Sequence, residues 1–228
     1  MREKEWFRGD DWDVETQMLF ESKLKRSRDP YNKAQYLRIK ASYLLDSKDQ
    51  DKQIEGCKLM GRVISEYPNE ISHVMFAYEQ LGDYYFTEKK YIESELNYRQ
   101  SVSFYRKNGR GGSSGIGDIK LAETIVKTEQ SSKFSEMYSL LVDEFKENGG
   151  SLSLNDDIFR YYSVLAKISI KLNKNEAAKE YAQKALELAL IKEPQLDNHP
   201  KLGVVKISDD EQSTLEHILM TIKQMERN

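Results

Sequence analysis

The chain has 228 residues, 39% of them hydrophobic and 32% charged, which is enough apolar material for one extended repeat domain or two compact ones and places the chain outside the disordered range. A net charge of −3 with a pI near 5.8 argues against a general nucleic-acid binder, and the single cysteine, Cys57, excludes an intrachain disulfide and suits a reducing cytosol. The first residues, Met-Arg-Glu-Lys-Glu-Trp-Phe-Arg, carry charges where a signal peptide needs an apolar run, and no stretch approaches the roughly 18 apolar residues of a membrane span, so the expectation is a soluble, cytoplasmic protein.

Beyond Met1, residues 1–10 are polar apart from Trp6 and Phe7, which are placed to dock on a first helix expected from about Asp11 to Lys25 with Phe20 and Leu24 on one stripe. Asp29-Pro30 combines an N-cap with proline at the first helical position and opens a second helix carrying Ala34, Leu37, Ala41, Leu44 and Leu45. A third, from about Asp51 to Tyr67, carries Ile54, Met60, Val63 and Ile64 and stops at Pro68. The next helix is expected to start near Glu70, and its partner to end at Asn108-Gly109. The run Gly109-Arg-Gly-Gly-Ser-Ser-Gly-Ile-Gly117 lacks the Gly-Lys-Ser/Thr of a phosphate loop and follows a helix rather than a strand, so it reads as a connector.

Asp118 is placed to cap a helix carrying Ile119, Ala122, Ile125 and Val126; the following one starts near Ser132, carries Phe134, Met137, Leu141 and Phe145, and stops at Asn148-Gly149-Gly150. Phe159 to Leu190 holds two more helices. After a linker over 192–207, Ser208-Asp-Asp-Glu211 reads as a capping box opening a final helix with Leu215, Ile218, Leu219, Ile222 and Met225 on one face. No segment has the period of a strand.

Two stretches share one spacing. In 75–106 it is Tyr78, Leu81, Gly82, Tyr85, Tyr91, Ser94, Tyr98 and Ser101; in 159–190 it is Tyr162, Leu165, Ala166, Ala178, Tyr181, Ala182, Ala185 and Leu186. Both resemble tetratricopeptide repeats, helix-turn-helix units of about 34 residues whose small residues mark where the helices cross. Degenerate units are expected at about 37–68, with Gly56 at the small crossing position, and at about 117–147. The resemblance implies an all-α fold over 1–228: one domain, a right-handed superhelix of antiparallel helix pairs, about ten helices, closed by a capping helix at about 208–226. The layout, with Trp6, Lys23–Arg26, Gln35–Ala41, His199-Pro200 and Gly203, is also similar to uncharacterised bacterial repeat proteins.

The resemblance further implies a concave groove lined by the first helix of each unit. By register its residues are Phe76, Glu79, Gln80, Asp83 and Phe86 in the central unit and Arg160, Ser163, Val164, Lys167 and Lys171 in the last. The family's clamp for a terminal carboxylate uses Lys and Asn where this chain has Glu79 and Asp83. Two carboxylates repel such a ligand, so the central unit is expected to favour a basic partner segment, and the last unit makes the groove bipolar. A separate basic stretch from Lys23 to Lys40 contains Lys23, Lys25, Arg26, Arg28, Lys33, Arg38 and Lys40 with Tyr31 and Tyr36 among them, a contact patch for RNA or an acidic protein, or a solvated corner.

Catalytic chemistry has little to stand on. His73, His199 and His217 are isolated, no paired spacing suggests a metal or cofactor, Cys57 reads as a packed thiol beside Gly56, and the pairs Asp10-Asp11, Asp156-Asp157 and Asp209-Asp210 read as helix-start residues. The expected function is therefore a non-catalytic module binding a protein or peptide partner. The alternatives are an immunity protein neutralising a bacterial toxin, a peptide-sensing regulator and, less favoured, an RNA-associated repeat.

Overall fold

The computed structural model describes residues 5–110 and 113–227. Among these the chain is all-helical, with no strand, and divides into two compact units, Met1–Ser114 and Gly115–Asn228. Its helices pack mainly against their sequence neighbours as successive hairpins, the arrangement of a helical repeat. No helix among the described residues is long and apolar enough to cross a membrane.

The first unit holds α1 (Val14–Arg26), α2 (Pro30–Leu45), α3 (Gln50–Glu66), α4 (Ile71–Thr87) and α5 (Tyr91–Asn108). α1 starts three residues later than the sequence suggests, because Asp13, rather than an earlier aspartate, caps it by accepting from Thr16 N at 2.8 Å. α2 begins as expected, with Asp29 accepting from Tyr31 N. α2 pairs with α3, α4 pairs with α5, and α4 also packs on both α2 and α3. Phe20, Leu24, Leu37, Leu44, Met60 and Val63 form the core, and Trp6, Phe7 and Tyr36 close over it as a ring cluster.

Small residues at the crossings let the backbones approach. A methyl group on Gly56 would stand 2.9 Å from Leu45 Cγ, and one on Gly82 would stand 2.5 Å from the Tyr98 ring. Ser94, opposite Gly82, donates its hydroxyl to the Gly82 carbonyl at 3.0 Å. Ile54 departs from its expected stripe and is 45% exposed. The buried residues of α3 are Gly56, Leu59, Met60 and Val63, and at about 100° per residue Ile54 lies well round the helix from them.

The second unit holds α6 (Gly117–Lys127), α7, α8 (Asn155–Lys171), α9 (Asn175–Ala189) and α10 (Asp209–Met225). α7 runs as Phe134–Ser139, widens into a π-helical segment Leu140–Glu144 and ends as Phe145–Glu147. The Tyr161 hydroxyl donates to the Leu141 carbonyl of that segment at 3.0 Å, pinning α7 on α8. Asp118 lies inside the first turn of α6 rather than at its cap, and is buried. α10 packs on α9 and α8 through Leu215, Ile218 and Ile222; Met225, its last residue, is 54% exposed.

The turns α4–α5, α6–α7 and α8–α9 are built alike. Lys89, Glu129 and Asn173 adopt φ of 59°, 52° and 56°. In each turn that residue's N–H bonds the carbonyl three back, and the next N–H bonds the carbonyl five back: Lys89 to Phe86 and Lys90 to Tyr85, Glu129 to Val126 and Gln130 to Ile125, Asn173 to Ile170 and Lys174 to Ser169. This is the Schellman arrangement, repeated where the residue types share nothing but polarity.

Candidate binding furrow on the first helices of the hairpins

In the first unit α2 and α4 lie side by side, and Arg38 bridges them. Its guanidinium carbon sits 4.6 Å above the Phe76 ring, Nε donates to His73 Nδ1 at 3.4 Å and Nη1 donates to Gln80 Oε1 at 3.3 Å. Each partner is neutral. His73 is only 3% exposed, and burial first, with the charge of Arg38 second, pushes it down to about 4, so at neutral pH it is the uncharged acceptor the Arg38 bond requires. Burial also pushes Arg38 down from its usual value, and no carboxylate opposes that shift. The Tyr31 ring covers His73 at 4.4 Å between centroids.

One turn further along the same two helices the furrow opens into a cleft of about 380 Å³. Ser42, Leu45 and Asp46 line it from the end of α2, Gln53 from α3, and Gln80, Asp83, Tyr84, Thr87 and Glu88 from α4 and its end. Asp46 is the C-cap of α2 and Glu88 the C-cap of α4. Two exposed carboxylates therefore stand at two helix C-termini, where the backbone dipole is itself negative. Asp83 adds a third, held in place by the Tyr98 hydroxyl at 2.6 Å.

The groove residues expected from register meet different fates. Phe76 and Gln80 hold Arg38, and Asp83 lines the cleft. Glu79 is 2% exposed and turned inward, accepting from the Ser114 hydroxyl and from Ser114 N at 3.3 Å. Phe86 is half-buried with its ring edge-on to Tyr91.

In the second unit two of the three expected basic positions, Arg160 and Lys167, are compensated within the chain. Arg160 grips Glu123 of α6 through Nε and Nη2 at 2.8 and 2.6 Å. Lys167 pairs with Glu211 at the start of α10 at 2.5 Å, and the Ser163 hydroxyl donates to the same carboxylate. Ser163 and Val164 are buried, and Lys171 is exposed. Only half of the expected capping box forms: Ser208 Oγ accepts from Glu211 N at 3.2 Å, while the Glu211 side chain reaches across to α8.

The basic stretch does not form one patch. Lys23, Lys25, Arg26 and Arg28 are exposed around the end of α1, and Lys25 shares a cleft of about 410 Å³ with Lys33, Arg62 and Tyr67. Arg38 turns instead onto α4. Lys40 goes inside: it is 1% exposed and donates to the carbonyls of Gly9 at 2.8 Å and Asp11 at 3.1 Å. Burial pushes the half-buried Cys57 thiol up, away from reactivity at neutral pH.

Sequence reasoning missed His73, Ser42, Asp46, Tyr84 and Glu88. The register that marked Gln80 also marks Tyr84 one turn on, and Arg38, Ser42 and Asp46 follow one another at intervals of four on α2, so extending the groove to the preceding helix would have found most of them. No protein-family model, curated protein or solved structure matches the chain.

Proposed function

We propose that the chain is a tetratricopeptide-like interaction module that acts by binding a segment of a partner protein in the furrow between α2 and α4, in a cytoplasmic setting. The family reading is supported by the small-residue crossings at Gly56, Gly82 and Ser94 and by the turn shared by three hairpins. One observation carries the binding reading: Asp46, Asp83 and Glu88 line a single cleft at the C-terminal ends of α2 and α4. Carboxylates and helix ends of like polarity create a negative potential that a guanidinium or ammonium group relieves. The segment therefore presents a basic side chain to the cleft, with Gln80 and Tyr84 beside it.

The test is quantitative capture of host proteins on the immobilised protein and on a variant carrying Asp46→Asn and Glu88→Gln. Both positions are exposed helix ends, so the variant keeps its fold. A partner held stoichiometrically by the first and lost from the second supports the reading, and a toxin-like partner would make the module an immunity protein. The same proteins retained equally by both would overturn it.

A further inference from the structure

Arg38 is a half-buried charge on the furrow with no acid partner among the described residues. Three other half-buried guanidinium groups have acids: Arg62 has Glu21 and Glu66, Arg99 has Glu95, and Arg160 has Glu123. Arg38 is held by an aromatic face, a neutral imidazole and an amide oxygen. These contacts orient the group without neutralising it, although removing a cation from water is favourable only when an opposite charge or several acceptors replace the water. They also leave donors over. Nε and one N–H of Nη1 are bound, while among the described residues Nη2 has no acceptor, so three of the five N–H groups remain to meet the oxygens of a carboxylate. The acids that register placed nearby are turned elsewhere, Glu79 to Ser114 and Asp83 to Tyr98.

We propose that Arg38, stacked on Phe76 and steered by Gln80, is a subsite for a carboxylate side chain of the docked segment, next to the acidic cleft that takes its basic one. The inference rests on the proposed peptide-binding reading and fixes what that reading leaves open, the second charge on the partner and its spacing. Gln80 belongs to both places, bonding Arg38 and lining the cleft. From the Phe76–Gln80 turn to the Asp83–Glu88 turn the helix rises about 11 Å at about 1.5 Å per residue. An extended segment covers that distance in about three residues at about 3.3 Å each. The occupant is thus an extended peptide with an acid and a base about three residues apart, the acid over the middle of α2 and the base at its end.

Selection from a phage-displayed library of random dodecapeptides tests this, run in parallel on the wild-type protein, Arg38→Gln and the Asp46→Asn/Glu88→Gln variant. The wild type is expected to enrich peptides with Asp or Glu about three positions from Lys or Arg. Arg38→Gln is expected to keep the base and lose the acid, with a wild-type-selected peptide binding it roughly tenfold more weakly. The cleft variant is expected to keep the acid and lose the base. Arg38→Lys keeps a charge on a similar stem and serves if Arg38→Gln melts early; it should retain acid enrichment in weakened form. Enrichment of the base alone on the wild type, or equal acid enrichment on wild type and Arg38→Gln, overturns the subsite and leaves the binding reading standing. A wild-type pool with no basic consensus, an empty pool included, overturns both.

Discussion

The Tyr98 ring lies across Gly82 so closely that a β-carbon there would stand 2.5 Å from Cε1 and 2.6 Å from Cδ1. The ring cannot swing aside, because it is buried and its hydroxyl is bound to Asp83. Gly82→Ala therefore loses more by overpacking, about 1–3 kcal/mol, than the roughly 1 kcal/mol that alanine gains over glycine in a helix. Gly61, in α3 with nothing within 4 Å of its added carbon, is the control; Gly61→Ala should stabilise by about 0.5–1 kcal/mol. Urea denaturation of both variants checks the opposite signs.

Lys89 and Glu129 hold left-handed backbone at positions where glycine is the usual residue. A side chain there costs roughly 1 kcal/mol or more. Lys89→Gly and Glu129→Gly should each raise the midpoint of thermal unfolding, offset only partly by the freer unfolded chain. A drop in both midpoints would show that the side chains contribute contacts that outweigh the backbone strain.

Lys40 ties the leader to the first unit through the Gly9 and Asp11 carbonyls, with Trp12 alongside at 5.5 Å. Lys40→Met keeps the packed stem and removes the donor. The expected cost is about 1.5–3 kcal/mol, the range for hydrogen bonds from a charged group, together with faster proteolysis near Gly9. Unchanged cleavage would mean that the aromatic cluster of Trp6, Phe7 and Tyr36 holds the leader unaided.

His73 should give the fold an acid-sensitive component. Its folded value of about 4 lies below the 6.5 of the unfolded chain, so between those values the unfolded state binds the extra proton. Stability is complete above pH 6.5 and lost as the pH falls towards 4, by on the order of 3 kcal/mol in all. The groups facing the imidazole are the Arg38 guanidinium and the Tyr31 ring. His73→Gln retains an acceptor for Arg38 and does not titrate. The stability difference between wild type and His73→Gln should therefore shrink from pH 7 to pH 4, and a pH-independent difference would exclude this origin.

Glu211 serves two donors on α8. Because it and Lys167 are each about a quarter exposed, their coupling in a double-mutant cycle with Glu211→Gln and Lys167→Met should exceed the surface norm and reach about 1 kcal/mol. A coupling indistinguishable from zero would mean that the Lys167 pair adds nothing to the hold that Leu215, Ile218 and Ile222 have on α10.

Those residues mark the boundary of what could be read from the chain without coordinates. Gly56, Gly82, Ser94 and Tyr98 were legible because helix crossing is a local, periodic constraint, and the cap at Asp29-Pro30 because it involves adjacent residues. Glu79 and Glu211 were misjudged for one shared reason. Register places a residue on a face, but the partner that claims its carboxylate lies 35 residues away at Ser114 in one case and 48 and 44 away at Ser163 and Lys167 in the other. Lys40 failed in the same way: counted as one cation of an exposed stretch, it is drawn in by the carbonyls of a leader about 30 residues earlier. Charges on a helical repeat are legible in sign and not in availability.

Because three turns close with the same pair of backbone bonds around different residues, the hairpin connections are interchangeable parts. Leu172-Asn173-Lys174 could stand in for Thr128-Glu129-Gln130 and keep both bonds, carrying an asparagine that tolerates the left-handed region better than glutamate does. The chain thus contains its own templates for lengthening: a further hairpin spliced in at the α6–α7 or α8–α9 turn would inherit a connection that already works at three hairpin turns, while the furrow between α2 and α4, whose cleft reaches the end of α4, would be left untouched.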